Sequence, residues 1–163
     1  ATELKEKGTS YEDIVADLEE FKHHINVQFT VNDLFHLQRG GRVSKTTALV
    51  GSALNLKPFL TVTDAGTLIS DGTARGRKKS LRTLVDRMKE SLEENPDTSI
   101  PVGIVHGNCL EDANTVAELV KSETGFTNII INDISPSIGT HAGPGALGLL
   151  YYGKKKPPVK EEK

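Results

Sequence analysis

Residues 138–148 have the sequence IGTHAGPGALG, in which one histidine, His141, stands among four glycines and a proline. Apolar residues precede this stretch at 129–131 and follow it at 149–152. Glycine permits positive φ angles and close approach of a ligand, whereas proline restricts the chain. The sequence therefore predicts a shaped turn that presents one imidazole between two buried strands. Such an imidazole can donate to a carboxylate, carry a proton or be attached covalently, and it can equally cap the turn.

The rest of the chain alternates helical and extended patterns. Apolar residues recur at helical spacing within 11–23, 81–92 and 110–124, and strand patterns occupy 25–31, 100–105, 126–131 and 146–152. Residues 58–69 contain two apolar runs around Asp64-Ala65-Gly66, a pattern typical of a β-hairpin. The alternation favours the α/β class, and the hairpin requires mixed strand directions. We therefore expect an α/β fold in which a mixed β-sheet is packed with helices.

One further helix is predicted to be buried. Ser44 is a good N-cap for a helix whose residues 48–54 are nearly all small or apolar, among them Leu49, Ala53 and Leu54. A helix that is apolar on most sides is usually buried on most sides. We therefore expect this segment to pack inside the protein.

Composition and charge exclude several classes of function. At 163 residues the chain is one domain or slightly more, and its net charge of −2 gives no electrostatic argument for binding nucleic acid. No apolar run approaches the ~18 residues of a membrane span, and no signal peptide opens the sequence. The single cysteine, Cys109, is typical of a reducing compartment. We expect a cytoplasmic protein without stable membrane insertion.

Outside the glycine-rich stretch few residues indicate a site. No set of His, Cys, Asp and Glu has zinc spacing, and neither the dinucleotide-binding glycine pattern nor the Walker pattern is present. We expect no metal, no cofactor and no catalytic residue. His106 follows a predicted strand, where ligands often bind in α/β sheets, although a turn histidine satisfied by the backbone is the stronger interpretation. Thr140 and the loop amides beside His141 could bind an anion such as a carboxylate.

Four arginines, Arg39, Arg42, Arg75 and Arg77, each lie at a predicted junction of a loop and a helix. Arginine at such a position can bind a phosphate or an acidic partner through bidentate hydrogen bonds. It can equally be solvated surface charge. The residues alone leave both interpretations open.

Composition also divides the chain into three segments. Residues 1–8 are predicted to be the last turns of a helix that begins upstream and ends at Gly8, although removal of an initiator methionine before Ala1 explains the start as simply. Residues 9–153 form the folded domain. Residues 154–163 are charged and interrupted by proline, and we expect this tail to be disordered.

Four segments of the chain are LQRGGRVS at 37–44, GSALNLKP at 51–58, RGRKK at 75–79 and the glycine-rich stretch at 138–149. They occur in the order seen in the DegV family, a family of bacterial lipid-binding proteins that this chain resembles. The resemblance extends over residues 1–152 and implies that one fatty acid is held between two domains. Some members serve as the binding subunit of a fatty-acid kinase and present the acyl carboxylate for phosphorylation.

The resemblance covers only the second half of the family. The first domain, which holds the carboxylate through a Thr-Ser motif and a serine, has no counterpart here, and a missing N-terminal domain is therefore expected as a partner. By resemblance, His141 lies at the carboxylate end of the lipid tunnel, with Ile138, Gly139 and Thr140 beside it. The helix over residues 49–54 would supply tunnel wall.

The resemblance also implies partners and a function. Arg42, Arg75 and Arg77 resemble residues proposed to face the kinase. The expected function is a non-catalytic lipid-binding protein whose ligand is a long-chain fatty acid and whose partner is the catalytic subunit of a fatty-acid kinase. Two alternatives stay open. The DegV fold resembles that of the dihydroxyacetone kinases, in which a histidine binds a small ketone covalently, so His141 could be a nucleophile. A chain that holds half of the tunnel could also bind nothing.

Overall fold

The computed structural model of the protein describes residues 1–41 and 44–156, with residues 45–48 described by their backbone alone. The helices are α1 (Thr2–Glu6), α2 (Tyr11–His24), α3 (Leu34–Arg39), α4 (Lys45–Ala53), α5 (Arg77–Ser91), α6 (Leu110–Thr124) and α7 (Pro136–Ala142). The strands are β1 (Ile25–Thr30), β2 (Leu56–Val62), β3 (Leu68–Arg75), β4 (Val102–His106), β5 (Ile129–Asp133) and β6 (Leu147–Tyr152).

The six strands form one sheet in the order β3-β2-β1-β6-β4-β5. Neighbouring strands are antiparallel except β4 and β5, which are parallel and are joined through α6. The predicted hairpin is present as β2 and β3, and its second strand continues to Arg75. The expected α/β fold with a mixed sheet is confirmed.

Helices α5 and α6 cover one face of the sheet and form the main core. Leu84, Val85 and Met88 of α5 are fully buried, as are Val116 and Val120 of α6. The strand residues that point to this face are Phe59, Ala74, Val102, Ile104, Leu147, Leu149 and Tyr151. The burial of apolar area stabilises proteins by about 25 cal/mol per Å², so this large cluster is the main source of stability.

Helices α3, α4 and α7 lie at the opposite face, over β1 and β2. Successive strand side chains point to opposite faces, and Phe29 therefore faces these helices while Thr30 faces the main core. The smaller cluster here contains Val31, Leu34, Leu37, Ala142 and Ala146. Asp33 caps α3 by accepting a hydrogen bond from the Phe35 amide at 2.8 Å. This face is therefore packed by short helices over a small core.

The expectation that the helix over residues 49–54 is buried on most sides is wrong. Leu49, Val50 and Leu54 are 59%, 52% and 49% exposed. Gly51 is buried on the side that meets α3, where any side chain would overlap Leu34. Helix α4 contacts α3 and β2 on this side, and no element of the described chain covers its outer side. Its apolar residues are thus left at the surface.

The glycine-rich stretch is also folded differently from the prediction, because its first half belongs to α7. Ser135 caps this helix by accepting a backbone N–H, and Pro136 occupies the first turn, where a missing N–H costs nothing. The chain turns only at Gly143 and Gly145, which both have φ +78°. Strand β6 is buried, but β5 is an edge strand with no buried residue. The expectation of two buried flanking strands therefore holds for β6 alone.

The structure at the two ends of the described chain can be compared with the predicted N-terminal segment and the predicted disordered tail. Gly8 follows α1 with φ +77°, the conformation expected of a helix-ending glycine. The disorder predicted from residue 154 is wrong for 154–156, because the Lys154 amide donates to the Ser91 carbonyl at 2.8 Å and the Lys156 amide to the His23 carbonyl at 3.0 Å. The rest of that tail lies outside the described residues. Among the helices described, none is long and apolar enough to cross a membrane.

Candidate functional site

An open cleft of about 880 Å³ lies between the β2–β3 hairpin and helices α3, α4 and α7. We call it the apolar cleft. Its apolar lining residues are Phe29, Leu34, Leu37, Val50, Leu56, Pro58, Leu60, Leu68, Ile138 and Ala142, with Gly51 among them. Its polar lining residues are Ser70, Thr73, Ser137 and His141. Mostly apolar walls with a few polar groups are typical of sites for small molecules of this size.

Strand β2 supplies one wall of the cleft because its side chains point alternately to the two faces of the sheet. Leu56, Pro58 and Leu60 point into the cleft, whereas Phe59 between them points into the main core. The β2–β3 pairing shifts register between Pro58 and Leu60, which marks a bulge. One strand therefore contributes to both the stability of the fold and the lining of the cleft.

Helix α7 places His141 at the cleft. The histidine lies in the last turn of the helix, and its side chain is exposed while it also lines the cleft. The Nδ1 atom of His141 would be 3.8 Å from a Cβ atom built on Gly40, so the end of α3 lies next to the imidazole. The ring is therefore available to a ligand in the cleft and to solvent.

His36 of α3 fixes the position of α7. Its Nε2 lies 2.7 Å from the carbonyl oxygen of Thr140, and because a carbonyl only accepts, Nε2 carries the hydrogen. The same ring packs on Gly143, where a Cβ atom would lie 2.6 Å from Cγ of His36. Positive φ and this close contact both require glycine at position 143. The two helices are thereby joined directly beside His141.

The anion-binding loop expected around Thr140 is not formed. The Thr140 hydroxyl donates to the Pro136 carbonyl at 2.8 Å, and Thr140 does not line the cleft. The Gly139 amide donates to the Ser135 carbonyl and the Gly143 amide to the Gly139 carbonyl, each at 2.8 Å. These amides are used within a helix because residues 136–142 are helical. Of the residues predicted on this segment, Ile138 and His141 line the cleft.

The predicted tunnel-wall residues of α4 lie away from the cleft. Leu49 and Leu54 are about half exposed, Ala53 is exposed, and the cleft is lined instead by Val50 and Gly51. Successive helix residues are rotated by ~100° about the axis. The face of α4 that meets the cleft therefore contains Val50 and Gly51, and the predicted residues lie on other faces of the helix.

The arginines predicted to face a partner have different surroundings. Arg75 is exposed at the end of β3. The Arg77 side chain is 20% exposed, and its guanidinium donates to Asp112, with Nε 2.8 Å from Oδ2, so it is held within the chain. Arg39 is 64% exposed and lies 3.5 Å from Asp33. Arg42 lies outside the described residues. Arg75 and Arg39 are thus accessible, whereas Arg77 is held within the chain.

The surroundings of His106 fit a turn histidine satisfied by the backbone, which was the stronger of its two interpretations. Its side chain is buried, with Nδ1 3.4 Å from the Cys109 amide nitrogen and 3.3 Å from Oδ1 of Asp133. Burial raises the pKa of the Cys109 thiol, which favours its protonated form. Within residues 1–41 and 44–156, no group of His, Cys, Asp and Glu could hold a metal ion.

Comparison with known proteins gives the family of the chain. The family model described as "Uncharacterised protein, DegV family" matches residues 1–154. The chain belongs to the DegV family. The DegV domain-containing protein CPE0026 of Clostridium perfringens is 40% identical over 158 residues, which cover 97% of this chain and 54% of that protein. The chain therefore spans about half the length of the curated relatives it matches.

Solved structures of DegV proteins have the same fold. A DegV family protein of Ruminococcus gnavus, described with vaccenic acid, matches with a TM-score of 0.78 and 26% identity, over 92% of this chain and 52% of that one. The Fatty Acid Kinase (Fak) B3 protein of Streptococcus pneumoniae, loaded with linoleic acid, matches with a TM-score of 0.78 and 22% identity, over 93% and 53%. At that identity the second likeness concerns the fold alone.

Several residues that line the apolar cleft were not predicted from the sequence. They are Ser137, Ser70, Thr73 and the α3 residues Leu34 and Leu37. A signal for Ser137 was present. Ser135 followed by Pro136 is typical of an N-cap and a first helical residue. A helix beginning there would have placed residues 137 and 141 one turn apart on the same face. No comparable signal existed for the hairpin hydroxyls, because only the folded chain brings β3 opposite α3.

Proposed function

We propose that this DegV chain forms part of a fatty-acid-binding site, with the acyl chain in the apolar cleft and the carboxylate beside His141. The observation that carries the proposal is the cleft itself, about 880 Å³ in volume and lined by apolar side chains except for four of the described residues. The fatty acids described with DegV structures support the same ligand class. The carboxylate end is assigned to α7 because His141 is the one histidine among the lining residues of this cleft.

Physical chemistry favours this orientation of the ligand. Each buried methylene contributes about 0.8 kcal/mol, so a long acyl chain supplies most of the affinity. A carboxylate buried without partners would cost several kcal/mol. The exposed ring of His141 offers both a donor and access to water at the rim of the cleft. The head group is therefore held at the rim and the tail inside.

We further propose that the chain acts as a binding component of a cytoplasmic fatty-acid kinase and is not itself the catalyst. The support is the shared fold with the Fak B3 protein and an accessible arginine, Arg75, at the end of β3. An exposed arginine suits an acidic surface on a partner protein. The separate first domain expected from the family resemblance stays a prediction.

The test measures bound lipid directly. The purified protein is denatured and extracted, the extract is analysed by mass spectrometry, and palmitate binding is then measured by calorimetry. We expect a released long-chain fatty acid and a palmitate affinity about tenfold lower in His141→Ala, because hydrogen bonds to charged groups contribute about 1.5–3 kcal/mol. His141→Gln keeps a donor and should lose less. Equal palmitate affinity in the parent and His141→Ala would contradict the role of His141.

An intact-mass measurement separates binding from covalent catalysis. A fatty acid held by non-covalent contacts leaves the protein under denaturing conditions. A mass increase that persists after denaturation and disappears in His141→Ala would instead support the histidine as a nucleophile. A protein that contains no lipid and binds no palmitate would contradict the proposed function.

A further inference from the structure

Among the side chains that the structure describes, the four polar ones that line the apolar cleft are divided between two elements. Ser70 and Thr73 lie on the edge strand β3, and Ser137 and His141 lie on α7. In an apolar site, the few polar groups fix the orientation of the ligand. The two pairs differ in chemistry. Ser137 and His141 combine a hydroxyl with an imidazole, which can carry a positive charge, whereas Ser70 and Thr73 offer two neutral hydroxyls.

Ser137 and His141 share one face of α7. They are separated by four residues in a helix that spans Pro136–Ala142, and side chains at this spacing lie about 5–6 Å apart on the same side. Both line the cleft. Thr140, which lies next to His141 in sequence, does not line the cleft, and its hydroxyl already donates to the Pro136 carbonyl.

The Ser137 hydroxyl is free to bind a ligand. Within residues 1–41 and 44–156 it has no hydrogen-bond partner, and the residue is exposed. The helix that carries it is held at both ends, by the Ser135 cap at its start and by His36 on the Thr140 carbonyl near its end. The spacing between the Ser137 and His141 side chains is thus set before any ligand binds, which lowers the entropic cost of binding.

We infer that Ser137 is a second hydrogen-bond donor to the fatty-acid carboxylate, beside His141. The inference rests on the function proposed above and deepens it. A carboxylate has two oxygens that only accept, and the α7 pair offers one O–H and one N–H from the same face of a helix. Each oxygen therefore receives one donor. Hydrogen bonds to an ionised carboxylate are about twice as strong as neutral ones, so the pair favours an acid over a neutral lipid.

The experiment compares two ligands of equal chain length. Affinities for palmitate and for 1-hexadecanol, which lacks the carboxylate, are measured by calorimetry with the parent, Ser137→Ala and Ser137→Thr. The matched control is Ser122→Ala, and Ser70→Ala tests the hydroxyls of β3. We expect Ser137→Ala to weaken palmitate binding about tenfold and hexadecanol binding less than about twofold. Ser137→Thr should retain palmitate binding because it keeps the hydroxyl. Ser122→Ala, which removes an exposed hydroxyl from α6 outside the cleft, should leave both affinities unchanged. Ser70→Ala removes a cleft hydroxyl from β3 and should weaken palmitate binding less than Ser137→Ala does.

Three results would overturn the inference. Palmitate affinity could be unchanged in Ser137→Ala. The variant could also lose both ligands equally, which would indicate altered packing of α7. Thirdly, the loss could occur in Ser70→Ala instead, which would place the carboxylate at β3. If His141→Ala weakens palmitate binding and Ser137→Ala does not, the proposed function stands and this inference alone fails. A parent protein that binds no palmitate would contradict both.

Discussion

The two faces of the sheet differ in how completely they are covered. On the face of α5 and α6, Leu84 and Met88 are fully buried in a large cluster. On the opposite face, Val50 and Ile138 line an open cleft and are 52% and 61% exposed. Neighbouring residues of β2 serve both faces, since Phe59 packs in the core and Leu60 lines the cleft. The fold therefore concentrates stability on one face and leaves apolar surface available on the other.

This difference has a physical reason. Long helices with a continuous apolar stripe, such as the 15-residue α5 and α6, bury that stripe along their whole length. The helices over the cleft are six, nine and seven residues long, and short helices depend on tertiary contacts for their stability. The cleft face can thus be altered with less loss of folding free energy than the core face. Three predictions test that comparison, starting with the largest expected effect.

The same substitution on the two faces gives the sharpest contrast. Leu84→Ala should lower the free energy of unfolding by about 2–5 kcal/mol, because it leaves a cavity in a fully buried site. Leu60→Ala should cost less than about 1.5 kcal/mol, because Leu60 borders an open cleft and its loss creates no closed cavity. Urea denaturation measures both. Equal losses would show that the cleft face carries as much of the stability as the core.

Two glycines with the same φ angle test the contact between α3 and α7. Gly143 and Gly66 both have φ +78°, but a Cβ atom at Gly143 would meet the His36 ring whereas at Gly66 it meets nothing within 4 Å. Gly66→Ala should therefore cost about 1 kcal/mol of conformational strain. Gly143→Ala should cost about 2–3 kcal/mol, because φ 78° with ψ 175° is a conformation essentially restricted to glycine and the added methyl group would also overpack the His36 ring.

The Gly143→Ala variant should also affect the cleft. Displacement of α7 moves His141, so palmitate affinity should fall in Gly143→Ala and stay at the parent value in Gly66→Ala. Thermal unfolding and calorimetry measure the two effects separately. Equal unfolding midpoints for the two variants would mean that the His36 ring yields to the added methyl group and does not hold α7 in place.

The pH dependence of stability tests how tightly Tyr151 is buried on the sheet face covered by α5 and α6. Burial raises the pKa of Tyr151 to about 12, while Ser91 and Gln28 hydrogen-bond to its hydroxyl. The unfolded chain loses this proton near pH 10, so the folded state holds it more tightly. The stabilisation is complete below pH 10 and is lost as the pH rises toward 12.

The measurement is urea unfolding at several pH values for the parent and Tyr151→Phe. We expect the parent to lose about 1 kcal/mol between pH 10 and pH 11 from this residue. Tyr151→Phe should lack that component of the decline. The exposed Tyr11 provides the control, since Tyr11→Phe should leave the decline unchanged. Parallel curves for the parent and Tyr151→Phe would show that the Tyr151 hydroxyl titrates as it does in the unfolded chain.

The fold was more predictable from the sequence than the site. The apolar stripes of α5 and α6 and the alternation of the strands are local patterns, and each gave the correct element. The helix α7 was missed because its glycines suggested a turn, while Ser135 and Pro136 at its start indicated a helix. The missed helix also concealed Ser137. The main error at the site was thus to predict a turn where α7 lies, because this segment contains both turn-favouring and helix-favouring residues.

The sequence by itself determined the family, the α/β class and His141 as the residue of interest, because each depends on residue type and local spacing. The tertiary structure alone decided which residues line the cleft. Val50 faces it and Leu49 does not, and Ser137 faces it and Thr140 does not. These choices depend on the rotation of α4 and α7 about their axes, which is set by contacts with Leu34 and His36 from a distant part of the chain. Such long-range contacts leave no local pattern in the sequence.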